Sequence, residues 1–260
     1  MERISNTEIV VTKSDTVKSI MKAVRFIKKQ CRRRPYTYTI TAPDMESIAT
    51  AVMAAGLLGD ARNWIIENVP TGDGDGHVHT NVSFTFVGNL PETHEQAQCH
   101  IGGRDDYEEL EMRVKEGHLP SCWYISNLNG TRTLDGSISA CIKRFKKSQA
   151  RGENMHMGAA GSATRILFTM VAKAVELQTH VISEMTIHNG KRPINKGSNG
   201  ITRDVTFVHI ILQPVPSHDD MPALAEHEYS DGSRFRLLGT DTQSNSSSTS
   251  SDTLRLRFAD

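Results

Sequence analysis

Net charge is the first thing this sequence lacks: 30 lysines and arginines stand against 30 aspartates and glutamates. No global field draws the chain to nucleic acid or membrane, so any such attraction has to come from local clustering. Cysteine is scarce. Cys31, Cys99, Cys122 and Cys141 are scattered, with neither the paired spacing of a zinc site nor the density of a secreted scaffold, and they read as reduced thiols. Long apolar runs are missing too. The opening "MERISNTEIVV" has no signal-peptide core, and nothing approaches the roughly 18 apolar residues of a membrane span. The expectation is a soluble intracellular protein of cytoplasm or nucleus, in which the NxS/T triplets at Asn81, Asn129 and Asn245 meet no glycosylation machinery. Catalytic signatures are also wanting, with no GxSxG elbow, no HExxH and no carboxylate pair that periodicity would join. His156 and His180, isolated among eleven histidines, read as surface or satisfied core residues. The chain is therefore expected to be no enzyme, to need no cofactor and to take no small-molecule substrate.

What is present is a mixture of helical and strand periods. In residues 14–34, Val17, Ile20, Met21, Val24, Ile27 and Cys31 recur at helical spacing, with Ser14 or Asp15 as cap and Pro35 as stop. "YTYTIT" alternates as a strand, and a helix follows with Thr41 as N-cap and Asp44 returning the bond; Gly56 and Gly59 weaken its continuation. "NWIIENV" and "HVHTNVSFTFVGNL" read as strands. "ELEMRVKEG" alternates through Leu110, Met112 and Val114 and is also read as a strand, and "CWYISNL" with "SISACIKRF" as a hairpin around Asn129-Gly130. "SATRILFTMVAKAVELQ" is the expected central core helix. Strands "THVISEMTI" and "VTFVHIILQPV" close the domain, and no internal repeat is visible. The expected fold class is α+β: a mainly antiparallel sheet packed by about three helices, one domain over residues 1–213 and a flexible serine-rich tail over 214–260. The final "TLRLRFAD" alternates and suits an edge strand added to a partner.

Four stretches are candidates for chemistry. "TGDGDGHVHT" places Asp73, Asp75, His77 and His79 within reach of a shared ion, the basis for a metal-dependent enzyme reading. A tight turn accounts for the same residues: the glycines permit positive backbone angles, the aspartates make side-chain turns and the histidines sit on a polar strand face. The turn is preferred. "MGAAGSATR" resembles a phosphate-cradling turn but lacks the P-loop lysine, and a helix cap at Ser162 explains it equally. The stronger signal is cationic. Lys18, Lys22, Arg25, Lys29, Arg32, Arg33 and Arg34 band the first helix, and Lys143, Arg144, Lys146 and Lys147, with Arg151, surround Phe145. Such bands suit a phosphate backbone or an anionic bilayer, and they match the basic pattern of nuclear import signals.

The order of a basic amino-terminal region, strand "YTYTIT", the alanine-rich helix "DMESIATAVMAAG" and then "NWIIENV" resembles matrix proteins of negative-strand RNA viruses, plant-infecting rhabdoviruses in particular, over about residues 14–90. The resemblance implies a non-enzymatic, self-associating structural protein of the virion that condenses nucleocapsid and contacts membrane. The chain departs from that pattern in having no PPxY motif and in its neutral charge balance. An RNA-binding viral movement protein or silencing suppressor would use the same basic surfaces.

Overall fold

The computed structural model describes residues 5–32, 34–59, 61–70, 78–89, 101–102, 104–126, 134–193, 202–216 and 254–256. The fold is α+β, built on two mixed sheets rather than one. Strand β1 (Ser5–Val10), helix α1 (Val17–Gln30), β2 (Tyr36–Ala42), α2 (Met45–Leu58), β3 (Asn63–Pro70) and β4 (Val78–Gly88) make the first sheet with its helices. After a short β5 (Ile101–Gly102) and helix α3 (Arg104–Lys115), the second sheet is built from β6 (Trp123–Ile125), α4 (Leu134–Gln149), β7 (Met155–Ala160), α5 (Thr164–Glu176), β8 (His180–Pro193) and β9 (Thr202–Pro214). A strand β10 (Leu254–Leu256) pairs parallel with β1. The last alternating segment thus extends the chain's own sheet; most of the serine-rich stretch before it lies outside the described residues.

The strand orders are β10-β1-β2-β4-β3 and β5-β8-β9-β7-β6. Without the short end strands β10 and β5, the two sheets share one connectivity, β-α-β-α-β-β. In each, the first two strands run parallel, the second and fourth antiparallel, and the last two form a hairpin. The chain therefore does contain an internal repeat. Sequence self-similarity does not betray it because the second copy keeps the periods but not the residues. Helices α2 and α5 occupy equivalent places, pack against each other, and each also touches strands of the opposite sheet: α2 meets β8 and β9, and α5 meets β3 and β4. One continuous core results. Phe84 of β4 meets Phe168 of α5 edge to face, with ring centroids 6.5 Å apart.

Local chemistry explains where these elements start and stop. Thr16, not Ser14 or Asp15, caps α1: its hydroxyl accepts from Ser19 N (3.2 Å) while Ser19 Oγ accepts from Thr16 N (3.1 Å). Asp15 instead closes the preceding turn by accepting from Thr12 N. Asp44 caps α2, accepting from Glu46 N and Ser47 N, because Thr41 belongs to β2 and donates its hydroxyl to Glu8. Gly56 does not end that helix, which runs to Leu58 and closes at Gly59, whose φ of 71° only glycine adopts freely.

Two stretches expected as sheet are helical. In α3, Leu110 and Val114 lie one turn apart and pack with Leu119, Ile211 and Tyr107, whereas Met112 is 56% exposed; this i, i+4 pairing overrides the alternation. In α4, Cys141, Phe145 and Ser148 are buried at helical spacing. The helix is needed because β6 and β7 are parallel, and parallel neighbours require a crossover rather than a hairpin.

The junction between the halves depends on small residues in α2. A Cβ at Gly56 would stand 2.7 Å from Ile187 Cγ2 on β8, a branched side chain held in the core. In an ordinary helix Gly→Ala gains up to about 1 kcal/mol. Here overpacking reverses the sign, and Gly56→Ala is expected to lower the unfolding free energy by about 1–3 kcal/mol, measured by urea denaturation against wild type.

Candidate nucleic-acid interface and a buried thiol-imidazole cluster

The two basic bands fall on α1 and α4, equivalent helices of the two halves. "FIKKQ" on α1 and "RFKKS" on α4 align at Ile27 and Phe145, both buried, so Lys28-Lys29 and Lys146-Lys147 occupy matching positions. On α1, Ile20, Ala23, Val24 and Ile27 turn inward while Lys18, Lys22, Arg25 and Lys29 are exposed, as are Arg32 and Arg34 beyond the helix. No ion pair among the described residues engages any of these six. Arg33 lies outside the described residues. Phe26, 53% exposed, sits on the cationic face between Lys22 and Lys29.

On α4 the cations are organised into a groove. Lys143, Arg144 and Lys147, with Arg151 in the following turn, line a cavity of about 560 Å³ floored by Trp123, Met155 and His156. The Arg144 guanidinium lies 4.3 Å from the Trp123 ring centroid, a cation-π contact. Glu153 also lines the cavity and approaches Arg151 at 3.9 Å, and among the described residues no carboxylate forms an ion pair with the other three cations. Lys146 is exposed but is not part of the lining, and Phe145, at the centre of the sequence cluster, is fully buried as the helix's core anchor.

The other candidates fare differently. Asp73, Asp75 and His77 lie outside the described residues; His79 stands on β4, and the pairing of Pro70 with Val78 shows that the stretch connects two hairpin strands. Ser162 is not the cap of α5. Ala163 holds that position without a capping side chain, while the Thr164 hydroxyl donates to Gly161 O at 2.7 Å.

His156 and His180 are not surface residues. The face of the second sheet turned away from the central helices carries His156 on β7, His188 on β8 and His209 on β9, and α3 packs over this side. His156 Nε2 lies 3.0 Å from His209 Nδ1, and Cys122 Sγ lies 3.8 Å from the same nitrogen. His209 is 4% and His156 3% exposed. Burial, aided by repulsion from His156 and His188, pushes His209 down to about 3; burial and Arg113 hold His156 below the ordinary histidine value against the Pro120 carbonyl and Glu184. The Pro120 carbonyl favours the charged ring, yet His156 Nδ1 makes no bond of proper hydrogen-bond geometry. Burial also raises the Cys122 thiol to about 11. At neutral pH the cluster therefore consists of two neutral rings and a thiol. Sequence reasoning missed it because its members are far apart in the chain, at no spacing that signals metal or catalysis.

A third buried ring, His180, is pushed down to about 4 by burial; its Nε2 lies 3.3 Å from Ser148 Oγ, whose own proton goes to Glu153 O, so Nε2–H donates. Each of these histidines binds a proton more readily unfolded than folded, so the native state loses stability as pH falls below the ordinary value of about 6.5, continuing toward about 4 for His180. Glu176, held low by Lys173 and Asn68, adds its own loss only under the ordinary carboxylate range, so pH 6.5 to 5 isolates the imidazoles. Replacing His180→Gln, which retains a donor, is expected to remove about 1–2 kcal/mol of the stability lost over that interval, read from urea midpoints at the two pH values. An unchanged pH dependence would show that His180 takes up its proton at the same pH in the native and unfolded states.

No protein-family model and no curated protein matches this chain.

Proposed function

We propose that the protein is a non-catalytic, self-associating nucleic-acid-binding protein that grips phosphate through α4 and, in the equivalent place of the other half, through α1. The observation that carries this reading is the groove of Lys143, Arg144, Lys147 and Arg151 closed by Trp123. A cationic channel beside an aromatic ring is what single-stranded nucleic acid uses, with phosphates tracking the charges and a base stacking on the ring. A bilayer needs no such groove, since a helix resting on it offers only an open apolar face flanked by charge. No helix among the described residues is long and apolar enough to cross a membrane. A virion role, with nucleocapsid as the partner, rests on the resemblance of residues 14–90 alone; the phosphate grip does not need it.

Released counterions make such binding salt-dependent. In fluorescence anisotropy with a single-stranded RNA, affinity is expected to fall at least tenfold between about 50 and 200 mM salt. Lys143→Ala with Lys147→Ala is expected to lower the log-log salt slope by about 1.4, roughly 0.7 per phosphate contact on a single strand, and Lys18→Ala with Lys22→Ala to do the same on the other helix. Affinity that is flat in salt overturns the reading, and flotation with anionic vesicles but no RNA binding replaces it with a membrane role.

A further inference from the structure

We propose that Cys122, His156 and His209 form a binding site for one divalent transition-metal ion of the zinc class. Their three ligand atoms, Sγ, Nε2 and Nδ1, lie within 4.8 Å of one another. Tetrahedral zinc with Zn–N of about 2.0–2.1 Å and Zn–S of about 2.3 Å puts neighbouring ligand atoms ~3.3 Å (N to N) and ~3.6 Å (N to S) apart. The observed separations are 3.0 Å between the two nitrogens and 3.8 Å from sulfur to His209. An ion therefore enters by adjustments of a few tenths of an ångström on these edges.

A second observation is independent of those distances. Gly158 on β7 stands directly opposite His209 on β9 and beside Tyr124 on β6. A Cβ there would meet Cys122 Sγ at 2.8 Å and His209 Nδ1 at 3.2 Å. The space kept open by the missing side chain is the space between two of the ligand atoms. Glycine inside a strand is otherwise unfavourable, and close approach of a ligand is one of the few reasons to place it there. The donor set narrows the ion. Two imidazoles and a thiol reject calcium and magnesium, which take oxygen, and suit zinc and its borderline neighbours.

Binding replaces the thiol S–H bond with a metal–sulfur bond and releases the proton to solvent, while the two neutral rings donate lone pairs without losing protons. Cys122 is only half-buried, and no fourth protein ligand joins the group among the described residues, so the proposed site takes water as its fourth ligand. Three protein ligands and a water make an exchangeable site, weaker than a closed four-ligand structural zinc centre. This inference does not rest on nucleic-acid binding.

The test uses the full reduced chain, stripped with chelator and titrated with Co²⁺, whose tetrahedral thiolate complex absorbs in the visible and shows a sulfur-to-metal charge-transfer band. One equivalent is expected to develop both features, Zn²⁺ to bleach them, and one equivalent of Zn²⁺ to raise the melting temperature. Cys122→Ser is expected to abolish the charge-transfer band, and Gly158→Ala, which retains all three ligands, to weaken Co²⁺ binding at least tenfold. Far-UV circular dichroism of each metal-free variant shows whether it is folded; should Gly158→Ala not fold, Cys122→Ser carries the test. No stoichiometric cobalt spectrum, or a charge-transfer band that survives in Cys122→Ser, means that the three residues are a hydrogen-bonded imidazole pair beside a thiol and overturns the proposal.

Discussion

The reciprocal packing of α2 and α5 between the two sheets is the constraint on which the rest of the molecule depends. Thr164, Ile166, Leu167, Phe168, Met170, Val171, Ala172 and Ala174 are all buried on α5, and at 3.6 residues per turn they span roughly two-thirds of the helix circumference. A sheet covers one face of a helix, so a helix buried over so wide an arc needs partners on more than one side. The other half supplies them, as β3, β4 and α2 close over α5 while β8 and β9 receive α2. The alanines and Gly56 of α2 set how closely the two halves approach. Neither half has a complete core without the other, because one cluster of buried side chains draws on both. Polar contact crosses the same junction, where Asn68 of β3 donates to Glu176 of α5.

Shared connectivity does not mean shared use. The outward face of the first sheet is polar and half-solvated, with Thr39 bonded to Thr85, Thr41 to Glu8 and Asn81 to Glu67. The corresponding face of the second sheet is covered by α3 and by the segment leading into β6, which bury Ile211 with Leu110 and Leu119. That cover is what desolvates His156 and His209. The two cationic bands, by contrast, remain equivalent because a flanking helix needs only one apolar side. Its other side is free to carry charge, and a chain with no net charge presents two positive helices by placing the same kind of helix twice.

Sequence periodicity read most of the elements correctly wherever one period was uncontested. Tyr38, Ile40, Val82, Phe84 and Phe86 alternate and are buried in β2 and β4; Ile20, Val24 and Ile27 recur at helical spacing and are buried in α1. Periodicity failed in α3, where Met112 completed an alternation that packing ignores, and in α4, where Asn129-Gly130 suggested a hairpin although the neighbouring strands are parallel. The basic helix faces were legible because charge on an amphipathic helix is a local property. Enclosure of the groove by Trp123 was not, since it depends on β6 reaching the edge of a sheet whose order no local pattern records. The thiol-imidazole cluster was beyond reach for the same reason: Cys122, His156 and His209 meet only because β6, β7 and β9 are adjacent.

Strand β6 joins the two candidate sites. It is three residues long, lies at the sheet's edge, and is held in the sheet by β7 alone. Side chains alternate along a strand, so Trp123 faces the core side and Arg144, while Tyr124 shares the opposite side with Gly158 and His209. Cys122 stands one residue before the strand and reaches the same side as Tyr124. A short edge strand with one hydrogen-bonding neighbour is among the first elements to open locally. Whatever fixes Cys122 against His209 also holds Trp123, one residue on, beneath Arg144. The buried imidazoles and the cationic surface are thus two sides of one edge strand, and the order of that strand is the quantity they have in common.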